Sequence, residues 1–177
     1  MDILGSNDMD EITEKIWLGN KNAAAHINNL NKHKIMKVLS LIDSHIKNIN
    51  QETESSIVRK IIKISDFPTK NIIKYFGECL NFMEGNEKIL VNCMIGSSRS
   101  ATIVIAYIMW KQKMKYEDAF NFVKSKRKII NPNYGFKEQL RIFEDLLIKN
   151  DYDLNKIDFN SLETYEELKK FKYFIFQ

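Results

Sequence analysis

The sequence predicts an α/β fold, a central mixed β-sheet flanked by helices, on three observations. Lys37 to Ile42 (KVLSLI) and Val58 to Ile64 (VRKIIKI) are β-branched runs with strand character. Lys88 to Asn92 (KILVN) is short and almost wholly apolar, as a strand covered on both faces must be. Around these runs, apolar residues recur at helical spacing, and strands that alternate with helices build this class.

The elements follow in order. Lys15 to Leu18 reads as a short strand and Gly19-Asn20 as a turn. Ala23 to Lys32 has a short helical pattern. Asp43 to Ser56, between two strands, is polar and loop-like. Asp66-Phe67-Pro68-Thr69 is a turn, and Ile72, Phe76, Leu80 and Met83 then line one helix face. After the KILVN strand, Ser98 to Lys111 is an apolar helix, expected at the centre. Tyr116 to Lys126 groups Ala119, Phe120 and Val123 on a third helix. Pro132 interrupts, and Phe136, Leu140, Phe143 and Leu147 mark a fourth. The last stretch differs in character. Asp151 to Glu167 is acidic and Phe171 to Phe176 (FKYFIF) is aromatic. Such a run left exposed invites aggregation, so it is expected to pack on the domain or on a partner. The organisation expected is one domain over residues 1–150 with an extension over 151–177.

A chain of 177 residues can bury one sizeable core but not two comfortable ones. Its 44% hydrophobic and 28% charged residues are those of a soluble globular domain. The net charge of +4 is too mild to argue for nucleic acid, and it favours an anionic substrate. Met1 to Lys15 is acidic and has no apolar run, so it does not read as a secretory signal. The longest apolar stretch, Ala101 to Trp110, is about half of a membrane span. Cys79 and Cys93 form no disulfide or zinc pattern, and His26, His33 and His45 do not repeat at ligand spacing. No metal or cofactor is expected, and a reducing cytoplasmic or nuclear location is.

The informative segment is Asn92-Cys93-Met94-Ile95-Gly96-Ser97-Ser98-Arg99-Ser100, between the buried strand and the central helix. Unpaired N–H groups at a helix start converge on negative charge, and the helix dipole adds to their effect. A cysteine at the strand end facing those donors has its thiolate stabilised, and a thiolate is the form that attacks phosphorus. Gly96 lets the loop turn with its amides inward. Arg99 offers a permanently charged planar fork for two phosphate oxygens. Met94, Ile95, Gly96, Ser97, Ser98 and Arg99 therefore form the expected phosphate-binding loop. The Ser100 hydroxyl is placed to donate to the Cys93 sulfur when it departs.

This segment resembles the signature of the dual-specificity branch of the protein tyrosine phosphatase superfamily. The resemblance extends to Ile16-Trp17-Leu18-Gly19, to Ala106-Tyr107-Ile108-Met109, and to Asn131-Pro132-Asn133-Tyr134-Gly135-Phe136 with Gln139-Leu140 and Phe143-Glu144. It covers about residues 10 to 148. It implies a small, atypical member with no kinase-docking segment ahead of the catalytic domain. It also implies a phosphocysteine on Cys93 and a general acid at Asp66, which follows a strand and precedes a helix; Asp43 is the alternative acid. Asn133 resembles a position that braces the phosphate loop, or else only caps a helix. Arg127 resembles a position that meets a second phosphate, or else lies on a solvated face. Cys79 is either a redox partner of Cys93 or a core cysteine.

One departure stands out. The family usually has His immediately before the cysteine, and here that residue is Asn92. Asn hydrogen-bonds but carries no charge, so the expected pH optimum is higher than is usual in the family. The function expected is hydrolysis of phosphotyrosine and phosphoserine/threonine on protein substrates. The alternatives are a catalytically silent phosphoprotein-binding module and a phosphatase of lipid, glycan or RNA phosphate. Lipid-directed relatives tend to carry lysines in the loop, and this loop has none.

Overall fold

The computed structural model describes residues 7–43 and 56–162. Five strands, β1 (Met9–Glu11), β2 (Ile16–Gly19), β3 (Ile35–Ile42), β4 (Val58–Lys63) and β5 (Lys88–Asn92), form one sheet in the order β1-β2-β5-β3-β4. β1 runs antiparallel to β2 and the other pairings are parallel, so the sheet is mixed. The helices are α1 (Lys21–Ala25), α2 (Ile27–Lys32), α3 (Phe76–Met83), α4 (Arg99–Gln112), α5 (Tyr116–Lys126) and α6 (Tyr134–Lys149).

Strand periodicity divides the apolar residues between two faces. Leu39, Leu41, Ile89 and Val91 enter the larger core with Phe76, Ile103, Phe136 and Phe143 from α3, α4 and α6. Val38 and Leu90 point the other way and join Trp17, Ala23 and Leu30 under α1 and α2. β5 is thus covered on both sides, as its composition requires. Each fully buried Leu, Ile or Phe of this kind stabilises the fold by about 1.5–3 kcal/mol. α4 is buried from Arg99 through Ala106 and contacts α3, α5, α6 and the sheet. It is the central helix, and its first residue is the arginine of the candidate site.

The predicted helix from Ala23 to Lys32 is two helices that break at His26 (φ −89°, ψ 89°). Asn22, Asn28, Asn29 and Asn31 are the cause that the sequence offers, because asparagine side chains compete for backbone hydrogen bonds. β1 was not foreseen. It is a three-residue edge strand, too short to show a period. α3 is preceded by a 3-10 turn, Ile73–Tyr75.

Beyond α6, Leu154, Ile157 and Leu162 bury in the larger core. The Trp110 indole donates to the Tyr152 carbonyl at 2.9 Å, and the Asn71 side chain donates to the Leu162 carbonyl. The Phe159 ring lies against Gly77, where a Cβ would approach it to 2.7 Å. The aromatic run Phe171 to Phe176 and most of the loop predicted from Asp43 to Ser56 lie outside the described residues. Among the described residues, no helix is long and apolar enough to cross a membrane.

Candidate active site

Cys93 follows β5 directly, and the loop it opens ends where α4 begins at Arg99. The sulfur is buried, 3% of the residue being exposed. It accepts a hydrogen bond from the Gly96 N–H at 3.3 Å and from the Ser100 hydroxyl at 3.1 Å. Both donors stabilise negative charge on sulfur. Gly96 has φ +77°, and a Cβ there would stand 2.5 Å from the Gly19 carbonyl oxygen. Glycine is the residue that tolerates both conditions.

The loop is shaped from outside by Arg127. Its Nε donates to the Gly96 carbonyl at 3.0 Å and its Nη2 to the Ile95 carbonyl at 3.3 Å. Its Nη1 donates to the Asn7 carbonyl at 3.0 Å and to Asp10 Oδ2 at 2.6 Å. Arg127 is 1% exposed. Neither sequence expectation for it holds, since a buried guanidinium spent on loop carbonyls and a half-buried carboxylate is neither solvated nor open to a second phosphate. Carbonyls drawn outward to Arg127 leave the loop amides free to face inward.

Arg99 is 4% exposed. Its Nη1 donates to the Ile64 carbonyl at 3.1 Å and pairs with Asp43 Oδ2 at 3.2 Å. Its Nε is buried without a hydrogen-bond partner among the described residues, and Asp66 Oδ2 stands 3.9 Å away, beyond hydrogen-bond reach. A buried N–H left in this way is costly unless an acceptor arrives, and an oxyanion is such an acceptor.

Asp66 has one oxygen anchored and one not. Its Oδ1 accepts from the Ser98 hydroxyl at 2.7 Å and from Asn133 Nδ2 at 2.8 Å. Asn133 also caps α6, its side-chain oxygen accepting from the Phe136 N–H at 3.0 Å, and its own N–H donates to Ser98 Oγ at 3.2 Å. Asn133 thus caps α6 and also bonds Asp66 and Ser98. Asp43, the alternative acid, is committed to the ion pair with Arg99.

The remaining predicted residues fall in and around the same loop. The Ser97 carbonyl accepts from the Asn131 N–H at 2.7 Å. Met94 and Ile95 turn outward and are 39% and 49% exposed. Asn92 is buried, and its Oδ1 accepts from the Ser40 hydroxyl on β3 at 2.7 Å. Cys79 lies in the core on α3 and is unpaired; burial pushes its thiol up, and Glu78 adds to that. Among the described residues, no three His, Cys, Asp or Glu side chains gather as a metal-binding group.

Sequence reasoning missed what holds the Asp66 segment. Gln139 is fully buried on α6, and its Oε1 accepts from the Ile72 and Ile73 N–H groups at 2.8 and 3.0 Å. Its Nε2 donates to the Lys70 carbonyl at 2.8 Å. A Cβ at Gly135 would collide with the Pro68 carbonyl, so α6 starts flush against this segment. A glutamine on the apolar face of a helix was the signal available.

The chain is similar to known proteins over most of its length. The family pattern described as "Dual specificity phosphatase, catalytic domain" matches residues 16–146. The chain is 34% identical over 142 residues to dual specificity protein phosphatase 22 of Homo sapiens, covering 78% of this chain and 74% of that one. It is 32% identical over 175 residues to dual specificity protein phosphatase MPK-4 of Drosophila melanogaster, covering 95% of this chain but only 44% of that longer protein. Among solved structures, the human tyrosine phosphatase-like serine/threonine/tyrosine-interacting protein superposes with a TM-score of 0.72 at 35% identity, over 79% of this chain and 97% of that one. A mixed five-stranded sheet, a cysteine loop leading into a buried helix, and a match over most of its length agree: the chain belongs to the dual specificity phosphatase catalytic-domain family.

Proposed function

We propose that this chain is a cysteine-dependent protein phosphatase that hydrolyses phosphotyrosine and phosphoserine/threonine through a phosphocysteine at Cys93. The observation that carries the reading is the Cys93 sulfur itself. It receives the Gly96 N–H and the Ser100 hydroxyl, beside a buried Arg99 whose Nε has no hydrogen-bond partner among the described residues.

In the first step the Cys93 thiolate attacks phosphorus, and an S–P bond forms as the ester P–O bond breaks. The inward loop amides and Arg99 hold the phosphoryl oxygens and stabilise the charge that develops. Asp66 gives its proton to the departing alcohol or phenol. In the second step Asp66 takes a proton from water, the oxygen attacks phosphorus, and the S–P bond breaks. The electron pair returns to sulfur, where Ser100 donates to the thiolate. A positioned acid–base group of this kind contributes roughly 10²–10⁴ in rate. The anchored Oδ1 of Asp66 leaves Oδ2 for the proton transfers.

Met94 and Ile95 on the cysteine loop and Phe67 beside Asp66 are exposed apolar residues around the site, and they suit a polypeptide better than a sugar or an inositol. A second reading, a silent phosphoprotein-binding module, is favoured by the 35% identity to the protein described as tyrosine phosphatase-like.

Hydrolysis of para-nitrophenyl phosphate across about pH 5 to 9 separates the two. Expected is turnover by the native chain, its loss in Cys93→Ser, and a strong reduction in Asp66→Asn. A well-folded native chain that binds phosphopeptides without turnover would replace this reading with the binding module.

A further inference from the structure

A cavity of about 300 Å³ opens beside Cys93 on the side of the sheet that α1 covers. Cys93 and Arg99 contribute to its wall, and so do Lys21 from α1, Arg59 from β4 and Asp43 after β3. The charged groups that line it are three cations and one carboxylate. The carboxylate, Asp43, is already paired with Arg99 at 3.2 Å. Arg59 Nη1 donates to the Ala24 carbonyl at 3.1 Å, and among the described residues neither Arg59 nor Lys21 has a carboxylate within ion-pair distance. Burial pushes the Arg59 guanidinium down from its ordinary value, because it is drawn partly out of water. The other wall residues include Ala24, Ala25 and Ile42, whose apolar surface strengthens any ion pair formed against it.

Two of these cations, Lys21 and Arg59, lie outside the cysteine loop. The loop amides and Arg99 take the phosphate over Cys93, which leaves Lys21 and Arg59 to spare. Lys21 is also tied to the loop, since its backbone N–H donates to the Met94 carbonyl at 3.3 Å. We infer that the cavity receives a second anionic side chain of the polypeptide substrate, flanking the phosphorylated residue and paired with Lys21 and Arg59. The inference rests on the phosphatase reading for the placement of the first phosphate. The shared chemistry is an oxyanion on a short stem, supplied by Asp or Glu or by a second phosphorylated residue. The alanine and isoleucine walls suit an aliphatic stem better than the polar ring of an inositol phosphate.

The test is binding to the Cys93→Ser chain, which requires no turnover. Three phosphotyrosine peptides differ only in the flanking residues: neutral, glutamate, or phosphoserine. Expected is roughly tenfold tighter binding of an acidic or doubly phosphorylated peptide than of the neutral one, the size of one charge-assisted pair. Whichever arm binds tighter identifies the source of the anion. Adding Lys21→Gln and Arg59→Gln together should bring the ratio to about one, whereas Arg59→Lys should keep part of it. The ratio is taken within each variant, so a general loss of folded protein cancels. Equal binding of all three peptides overturns the inference, as does a preference that survives the double variant. Tighter binding of an inositol polyphosphate than of any peptide overturns it too. Hydrolysis of para-nitrophenyl phosphate by the native chain, measured alongside, reports on the phosphatase reading alone. No turnover with the peptide preference intact would refute the chemistry and support the subsite.

Discussion

The loop from Cys93 to Arg99 and the segment around Asp66 meet over the same guanidinium but are held by different means. The cysteine loop is contiguous in sequence, and backbone groups set its shape: a left-handed Gly96, and carbonyls drawn onto Arg127. The Asp66 segment owes its place to side chains far away in sequence, with Asn133 on the carboxylate and Gln139 on the backbone beyond it. The difference teaches which substitutions each part tolerates. A backbone-shaped loop tolerates most side-chain changes outside its glycine and its brace. A segment held by side chains is sensitive at positions remote from the chemistry.

The largest effect on stability should come from Arg127. Arg127→Ala leaves the half-buried Asp10 carboxylate and two loop carbonyls without their partner, and the loss should come to about 3–5 kcal/mol, at about 1–3 kcal/mol for each buried acceptor left unpaired. Urea denaturation measures it. Arg127→Lys should recover little, because an ammonium cannot serve all those acceptors at once. A variant as stable as the native chain would mean that the cysteine loop holds its own shape.

Asp66→Asn should lower kcat by roughly 10²–10³, with little change in stability. The loss should be larger for an alkyl phosphate than for para-nitrophenyl phosphate, whose leaving group needs less help with a proton. Equal losses would remove Asp66 from the role of acid and return attention to Asp43. Gln139→Leu should cost about 1–3 kcal/mol, since the Ile72 and Ile73 N–H groups lose their acceptor. If Gln139 positions Asp66, its variant should show the same leaving-group dependence in weaker form. Loss of stability without that dependence would make it a purely structural residue.

The smallest effect is alkaline. Cys79 keeps its proton in the folded core, whereas in the unfolded chain it titrates near its ordinary value of 9.0. The unfolded state therefore loses a proton that the folded state retains. Its contribution is complete below that pH and declines above it, by about 1.4 kcal/mol per pH unit. Denaturation at successive pH values should show this slope, and Cys79→Ala should flatten it. An unchanged slope in the variant would show that Cys79 is not its source.

The same contrast explains what the sequence made legible. Cys93, Gly96, Arg99 and Ser100 could be read directly, because a strand, a tight loop and a helix place contiguous residues around one point. Asp66 was legible from its place between a strand and a helix. Asn133 was visible as a cap, but its grip on Asp66, 67 residues away, was not. Arg127 misled because Lys124, Lys126 and Lys128 surround it in sequence and suggest a solvated face, while Asp10 lies 117 residues away. In the fold, the strands β3, β4 and β5 were plain from composition. The break at His26 and the edge strand β1 were not, since short elements carry too little period to read.

A phosphocysteine at Cys93 can be caught by a rapid quench of the native chain and of Ser100→Ala during turnover, with the phosphoryl group located by peptide mass spectrometry. Ser100→Ala removes the hydroxyl that donates to the departing sulfur, so it should slow breakdown of the intermediate more than its formation. Expected is a phosphoryl group on Cys93 that accumulates in Ser100→Ala above its level in the native chain. Turnover with the phosphoryl group on another residue, or turnover that persists in Cys93→Ser, would contradict it.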